Sequence, residues 1–142
     1  MATPNILISH RWNYGHDYYN LVSKFDQYGF KYLNYSVPEH DPFDVSRVNQ
    51  IEAALQEQIR QCNYFIIFAN MAIGNSPWVK YEVEVATRYK KPILSVRPYG
   101  YNGNVPLFIQ QADTEGGDVG FNTPAIIRKI CAKLNHPLPI GI

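Results

Sequence analysis

The chain has 142 residues, 46% hydrophobic and 18% charged, which is the balance of one domain with a packed core and excludes a wholly disordered chain. Its formal net charge is +1 and its longest basic run is the pair Lys90-Lys91, so a general electrostatic grip on nucleic acid or on an acidic membrane is not expected. No apolar stretch approaches the roughly 20 residues of a membrane-spanning helix, and the amino terminus lacks the basic segment and long apolar core of an export signal. Cys62 and Cys131 stand far apart in apolar sequence and read as buried free thiols, which fits a reducing cytoplasm.

Asn5 to Ser9 is a short apolar run, the pattern of a strand buried on both faces. Tyr18, Leu21, Val22 and Phe25 then recur at helical spacing and stop at Gly29. Phe30 to Tyr35 reads as an aromatic second strand, followed by a loop from Ser36 to Asp44 in which Pro38 and Pro42 forbid regular pairing. From Ser46 to Arg60, Val48, Ile51, Ala54, Leu55 and Ile59 form the apolar stripe of a second helix.

Asn63 to Ala69 is the strongest buried-strand signal, and a polar loop with Asn70, Gly74 and Asn75 follows it. Ser76-Pro77 opens a third helix, running to about Tyr89, as a cap residue with proline at the first helical position. Pro92 to Arg97 is a fourth strand. Residues 98 to 111 read mainly as loop, with a short helical turn at Leu107 to Gln111. Asp118 to Gly120 reads as a short edge strand, and Asn122-Thr123-Pro124 caps a last helix bearing Ile126, Ile127, Ile130 and Leu134.

Strands alternating with helices imply right-handed β-α-β units and one doubly wound α/β domain over residues 1–142, with strand order 2-1-3-4-5. Ligands bind such sheets outside the carboxyl ends of the strands, where the order reverses between strands one and three. That places Ser9 to Trp12, Ser36 to Asp41 and Asn70 to Trp78 around one crevice.

The third helix carries the clearest chemical signal. Trp78, Val79, Glu82, Val83 and Ala86 fall on one face, so Glu82 is a carboxylate on an apolar stripe. Glu84, by contrast, has Lys80 and Arg88 four residues to either side and reads as a solvated charge. A carboxylate against apolar neighbours at a crevice is costly and tends to a shifted pKa, which makes Glu82 a candidate for binding or catalysis; the alternative is a structural pair with Arg11, Arg97 or water. His10 and Arg11 after strand one offer an imidazole and a guanidinium to the crevice, the latter suited to phosphate, or else simply face solvent. Trp12, Tyr14 and Trp78 offer faces for stacking on a ring, or pack against the strand ends.

The four histidines and two cysteines lack metal-ligand spacing, so no metal site is proposed. No Gly-x-Gly-x-x-Gly, phosphate loop or Gly-x-Ser-x-Gly occurs. A response-regulator receiver requires acidic residues where this chain has Ser9-His10 and Ala69-Asn70.

Three segments together, Ile6-Leu7-Ile8-Ser9-His10, the loop Tyr35-Ser36-Val37-Pro38 to His40-Asp41-Pro42, and Trp78-Val79-Lys80-Tyr81-Glu82, resemble the TIR-like family of bacterial Thoeris anti-phage defence over nearly the whole chain. The resemblance implies a flavodoxin-like fold and an enzyme that cleaves the nicotinamide glycosidic bond of NAD, then releases or cyclises the ADP-ribose part, the cyclic form preferred, as a signal. NAD is then a substrate, and no cofactor or metal is implied. Glu82 matches the family's catalytic glutamate; Ser9, His10, Arg11, Ser36 and Asn70 are expected to line the NAD crevice, with Trp78 and Tyr81 beside Glu82. The resemblance further implies self-association through the loop from Ser36 to Asp44, a separate effector protein that reads the nucleotide product, and a phage-derived trigger. Many TIR domains are scaffolds without catalysis, so an interaction module is the second reading and a nucleotide-binding domain without turnover the third.

Overall fold

A computed structural model of the chain describes residues 3–9, 16–36, 48–69, 77–116 and 120–142. Its centre is a parallel sheet of β1 (Asn5–Ser9), β2 (Leu33–Asn34), β3 (Tyr64–Phe68) and β4 (Ile93–Val96), ordered β2-β1-β3-β4 among the described residues. The helices are α1 (His16–Gln27), α2 (Val48–Gln61), α3 (Pro77–Arg88), α4 (Leu107–Ala112) and α5 (Thr123–Leu134). α1 packs with α5, α2 packs with α3, and α4 packs on α3 and β4. Right-handed crossovers put α2 and α3, whose strands advance in one direction, on one face of the sheet, and α1, which runs the other way, on the opposite face.

The order is why β1 and β3 read as unbroken apolar runs. Both are central, covered by helices on each side, and all five residues of β3 are buried, as are Ile6 to Ser9 of β1. The register aligns Ser9 with Ile67 and Ile67 with Ser95, so these three residues point to the same face of the sheet.

The second strand is shorter than the expected Phe30 to Tyr35. Phe30 is drawn into the core by a ring cluster, stacked on Tyr32 at 5.5 Å and edge-on to Phe25 at 5.1 Å, while Gly29 at φ +68° turns the chain out of α1. Only at Leu33 does the backbone reach β1, with Leu33 N donating to Pro4 O and Tyr35 N to Ile6 O, both at 2.8 Å. The aromatic residues that suggested a strand are core rings delivered by a turn. On α2 the apolar stripe is narrower than expected: Leu55 and Ile59 are buried, Ile51 is half-buried and Ala54 faces outward.

The fifth strand expected at 118–120 falls on residues of which 117–119 lie outside those described, and Gly120 is not in a strand. The free edge of β4 is instead satisfied by the segment after α4. Thr114 N donates to Ile93 O at 2.9 Å, Thr114 Oγ1 accepts from Ile93 N at 3.0 Å, and Asp113 Oδ2 accepts from Ser95 N at 2.8 Å and Ser95 Oγ at 2.5 Å. Two side chains thus provide bonds that a neighbouring strand would make.

The caps of the last helix follow its sequence. Asn122 Oδ1 accepts from Ala125 N at 3.1 Å with proline in the first turn, and Asn135 takes the left-handed position at the carboxyl end. Cys62 and Cys131 are buried free thiols, and burial pushes Cys62 up to about 11. Among the described residues no helix is long and apolar enough to cross a membrane.

Candidate active site

Glu82 lies in the middle of α3, and the helix faces inward at Val79, Val83, Val85 and Ala86, all buried. The same turn periodicity carries the carboxyl of Glu82 inward, where it is 5% exposed. It meets Ser9, the last residue of β1, which is fully buried. Strand and helix therefore deliver a carboxyl and a hydroxyl to one point at the carboxyl end of the sheet, the place where doubly wound folds bind ligands.

Burial disfavours the charged form and pushes the Glu82 carboxyl from its ordinary 4.5 up to about 8, while the neighbouring Ser9 hydroxyl draws it down. That hydroxyl nevertheless stops short of a true hydrogen bond: Ser9 Oγ is buried with no hydrogen-bond partner. Arg97, one of the partners weighed for Glu82, donates through Nη1 to Gly103 O at 2.9 Å and lies over the Tyr101 ring instead. Glu84 is exposed, as a solvated charge should be, with Lys80 reaching over the Phe108 ring at 6.0 Å.

Trp78 and Tyr81 stand half-buried one turn before and immediately beside Glu82, edge-to-face at 6.1 Å and 88°. The Tyr81 hydroxyl accepts a 2.6 Å hydrogen bond from Gln56 Nε2 on α2. Gln56 is a site residue the sequence does not announce, since a glutamine between two stripe positions of a helix looks like any solvated one. Ser36 is brought to the end of β1 as expected, but its Oγ accepts from Ile8 N at 2.9 Å and so extends the ladder between β1 and the chain after β2. His10, Arg11 and Asn70, expected in the crevice, lie outside the described residues, as do Trp12, Tyr14 and residues 37–44 of the loop expected to mediate self-association.

Neither Glu82 nor Ser9 lines either of two cavities formed by the described residues. One, about 540 Å³, opens at the end of β4 and is lined by Ser95, Arg97, Asn102, Asn104, Gln110 and Asp113. The other, about 690 Å³, lies between α3 and α4 against Lys80, Thr87, Arg88 and Phe108, on the side of α3 turned away from Glu82. It is the larger of the two, yet no buried reactive group lines it, so volume does not mark the site. Among the described residues no three His, Cys, Asp or Glu side chains gather to hold a metal ion.

A doubly wound α/β domain with a buried carboxyl set beside a strand-end hydroxyl is the class that these observations define. The solved structures that share the fold include two enzymes. One is the Clostridium botulinum CMP N-glycosidase BcmB, at TM-score 0.55 and 14% identity over 92% of this chain and 98% of that one. The other is the 2-deoxyribosyltransferase of Bacillus psychrosaccharolyticus, at TM-score 0.60 and 13% identity over 95% and 98%. No curated protein matches the sequence. Residues 7–102 match the family described as Thoeris protein ThsB, TIR-like domain, and the chain belongs to that family. The match runs from within β1 through β4, includes Ser9 and Glu82, and stops before α4.

Proposed function

We propose that this protein cleaves the bond between C1′ of the ribose and N1 of nicotinamide in NAD, with Glu82 as the catalytic carboxylate, and that the ADP-ribose product, in cyclic form, is a signal in bacterial anti-phage defence. The observation that carries the reading is the buried carboxyl of Glu82 beside Ser9 at the carboxyl end of the sheet. Its chemistry suits a pyridinium glycoside better than a neutral nucleoside. When C1′–N1 breaks, nicotinamide leaves with the bonding electron pair as a neutral molecule, so no second group has to deliver a proton to it. The positive charge passes to the ribosyl centre, where a carboxylate held out of water stabilises it.

The elevated pKa fits the same scheme. Without substrate the carboxyl is largely neutral at pH 7, which avoids a bare buried charge. A bound cationic nicotinamide ring supplies the counter-charge that ionises it. Bond formation at C1′ by water yields ADP-ribose and releases one proton; bond formation by a nitrogen of the adenine ring yields a cyclic product.

The two structural neighbours, a CMP N-glycosidase and a 2-deoxyribosyltransferase, give the fold a precedent in reactions at the anomeric carbon of nucleosides. The TIR-type interaction module is the weaker reading, because a scaffold has no use for a carboxyl buried at a crevice. In the test, the purified protein is incubated with NAD, with and without lysate of infected cells, and products are followed by chromatography with mass detection. Nicotinamide appearing with an ADP-ribose species, lighter by one water if cyclic, supports the proposal. Intact NAD in both arms overturns it in favour of the interaction module.

A further inference from the structure

Among the described residues, two buried side-chain hydroxyls have no hydrogen-bond partner, Ser9 Oγ and Tyr64 OH. They sit at opposite ends of the sheet. Tyr64 opens β3 at the amino end, near the Glu115 carboxylate, in a region whose polar groups tie α5 to the β4 edge: Lys133 approaches Glu115 at 3.4 Å and Lys129 donates to Glu115 O at 2.9 Å. Ser9 closes β1 at the carboxyl end, beside Glu82 and nothing else that satisfies it.

A buried hydroxyl without a partner is destabilising, and an alanine at that point would avoid the cost while keeping the strand. The placement of Ser9 against the candidate catalytic carboxyl gives the hydroxyl a use. If C1′ of a bound sugar is the atom that faces Glu82, the substituent within reach of a group beside that carboxyl is the one on the adjacent carbon, C2′. A serine hydroxyl both donates and accepts, as a sugar hydroxyl does.

Resting on the NAD-cleaving reading above, we propose that Ser9 is a specificity-determining residue whose hydroxyl bonds the 2′-hydroxyl of the substrate's ribose, so that the site selects ribosides over 2′-deoxyribosides. The fold by itself leaves the sugar class open, and the orphan hydroxyl decides it. A site built around a hydrogen bond to a substrate hydroxyl discriminates strongly against the analogue lacking it, because the protein group is then buried without a partner.

The test compares the parent with Ser9→Ala on NAD and on NAD whose nicotinamide ribose is 2′-deoxy. The quantity read is the ratio of kcat/KM for the two substrates, parent against variant, so that the different intrinsic lability of the two bonds cancels. The inference expects that ratio to fall by about 10- to 100-fold in Ser9→Ala, mainly through lost NAD turnover, with a melting temperature unchanged or raised. An unchanged ratio overturns it, as does a lowered melting temperature with both substrates slowed equally, the signature of a merely structural serine. A second readout separates this inference from the NAD reading: the melting-temperature shift given by nicotinamide riboside and by its 2′-deoxy form. If NAD is not turned over but the riboside stabilises the parent more than the deoxyriboside, and Ser9→Ala abolishes the difference, Ser9 keeps its role and the cleavage reading alone fails. Equal shifts, or none, overturn the role of Ser9.

Discussion

Glu82 couples the folding of this chain to pH in the direction opposite to an ordinary salt-bridged carboxylate. Its pKa is raised in the folded protein, so between about 4.5 and 8 the folded state binds more protons than the unfolded one. Stability therefore falls as pH rises through that window, by an amount on the order of a few kcal/mol from this one group. Replacing it with glutamine, which cannot ionise, is expected to flatten that slope and to raise the melting temperature at pH 8 more than at pH 5; thermal scans of parent and variant across that range check it. In catalysis the same group demands the opposite protonation. The kcat/KM profile for NAD is expected to climb as pH rises toward about 8, where the free enzyme's carboxyl ionises, and kcat to climb at lower pH because the bound cation favours the charged form.

Two contacts between elements carry more than their sequence suggests. The bond from Gln56 to Tyr81 ties α2 to α3 next to Glu82, so Gln56→Leu and Tyr81→Phe should each change the site, and the double variant should be less than additive by about 1 kcal/mol. A double-mutant cycle in kcat/KM measures it, and simple additivity would show that the bond positions nothing. At the other side of the sheet, Asp113 stands in for a strand. Asp113→Ala leaves Ser95 N and Ser95 Oγ without their acceptor and should lower stability by about 2 kcal/mol, read by urea unfolding, whereas Asp113→Asn, which keeps an oxygen there, should lose less.

These elements also show what a sequence can and cannot disclose. Central strands and amphipathic helices were legible because burial on both faces or on one stripe imposes a residue pattern, and Glu82 was legible because a charge interrupts such a stripe. The short β2 was not, since Phe30 and Tyr32 satisfy a strand's composition while serving as core rings. Nor was the β4 edge, where a side-chain carboxylate replaces a backbone ladder, nor Gln56, whose partner lies 25 residues away. The unpaired state of Ser9 is invisible in principle, because it is a property of what fails to surround it.

At the scale of the molecule, the domain combines a doubly wound α/β architecture with a site whose reactive groups are enclosed: Glu82 is 5% exposed and Ser9 is fully buried. Because the family resemblance implies self-association, we propose that a self-associated state is the active one. Specific activity on NAD is accordingly expected to rise with protein concentration, in step with the mass measured by light scattering. A specific activity that stays constant across dilution into the monomeric range would show that one chain suffices.

The central claim is that the buried carboxyl of Glu82 breaks the nicotinamide bond. It is tested most directly by nicotinamide release from NAD, measured for the parent and for Glu82→Gln at the same protein concentration and pH, with melting temperatures taken alongside. The account predicts release by the parent, a loss of about 10³-fold in the variant, and a variant that melts no lower than the parent. Comparable release by a folded Glu82→Gln would contradict it and move the chemistry to another residue.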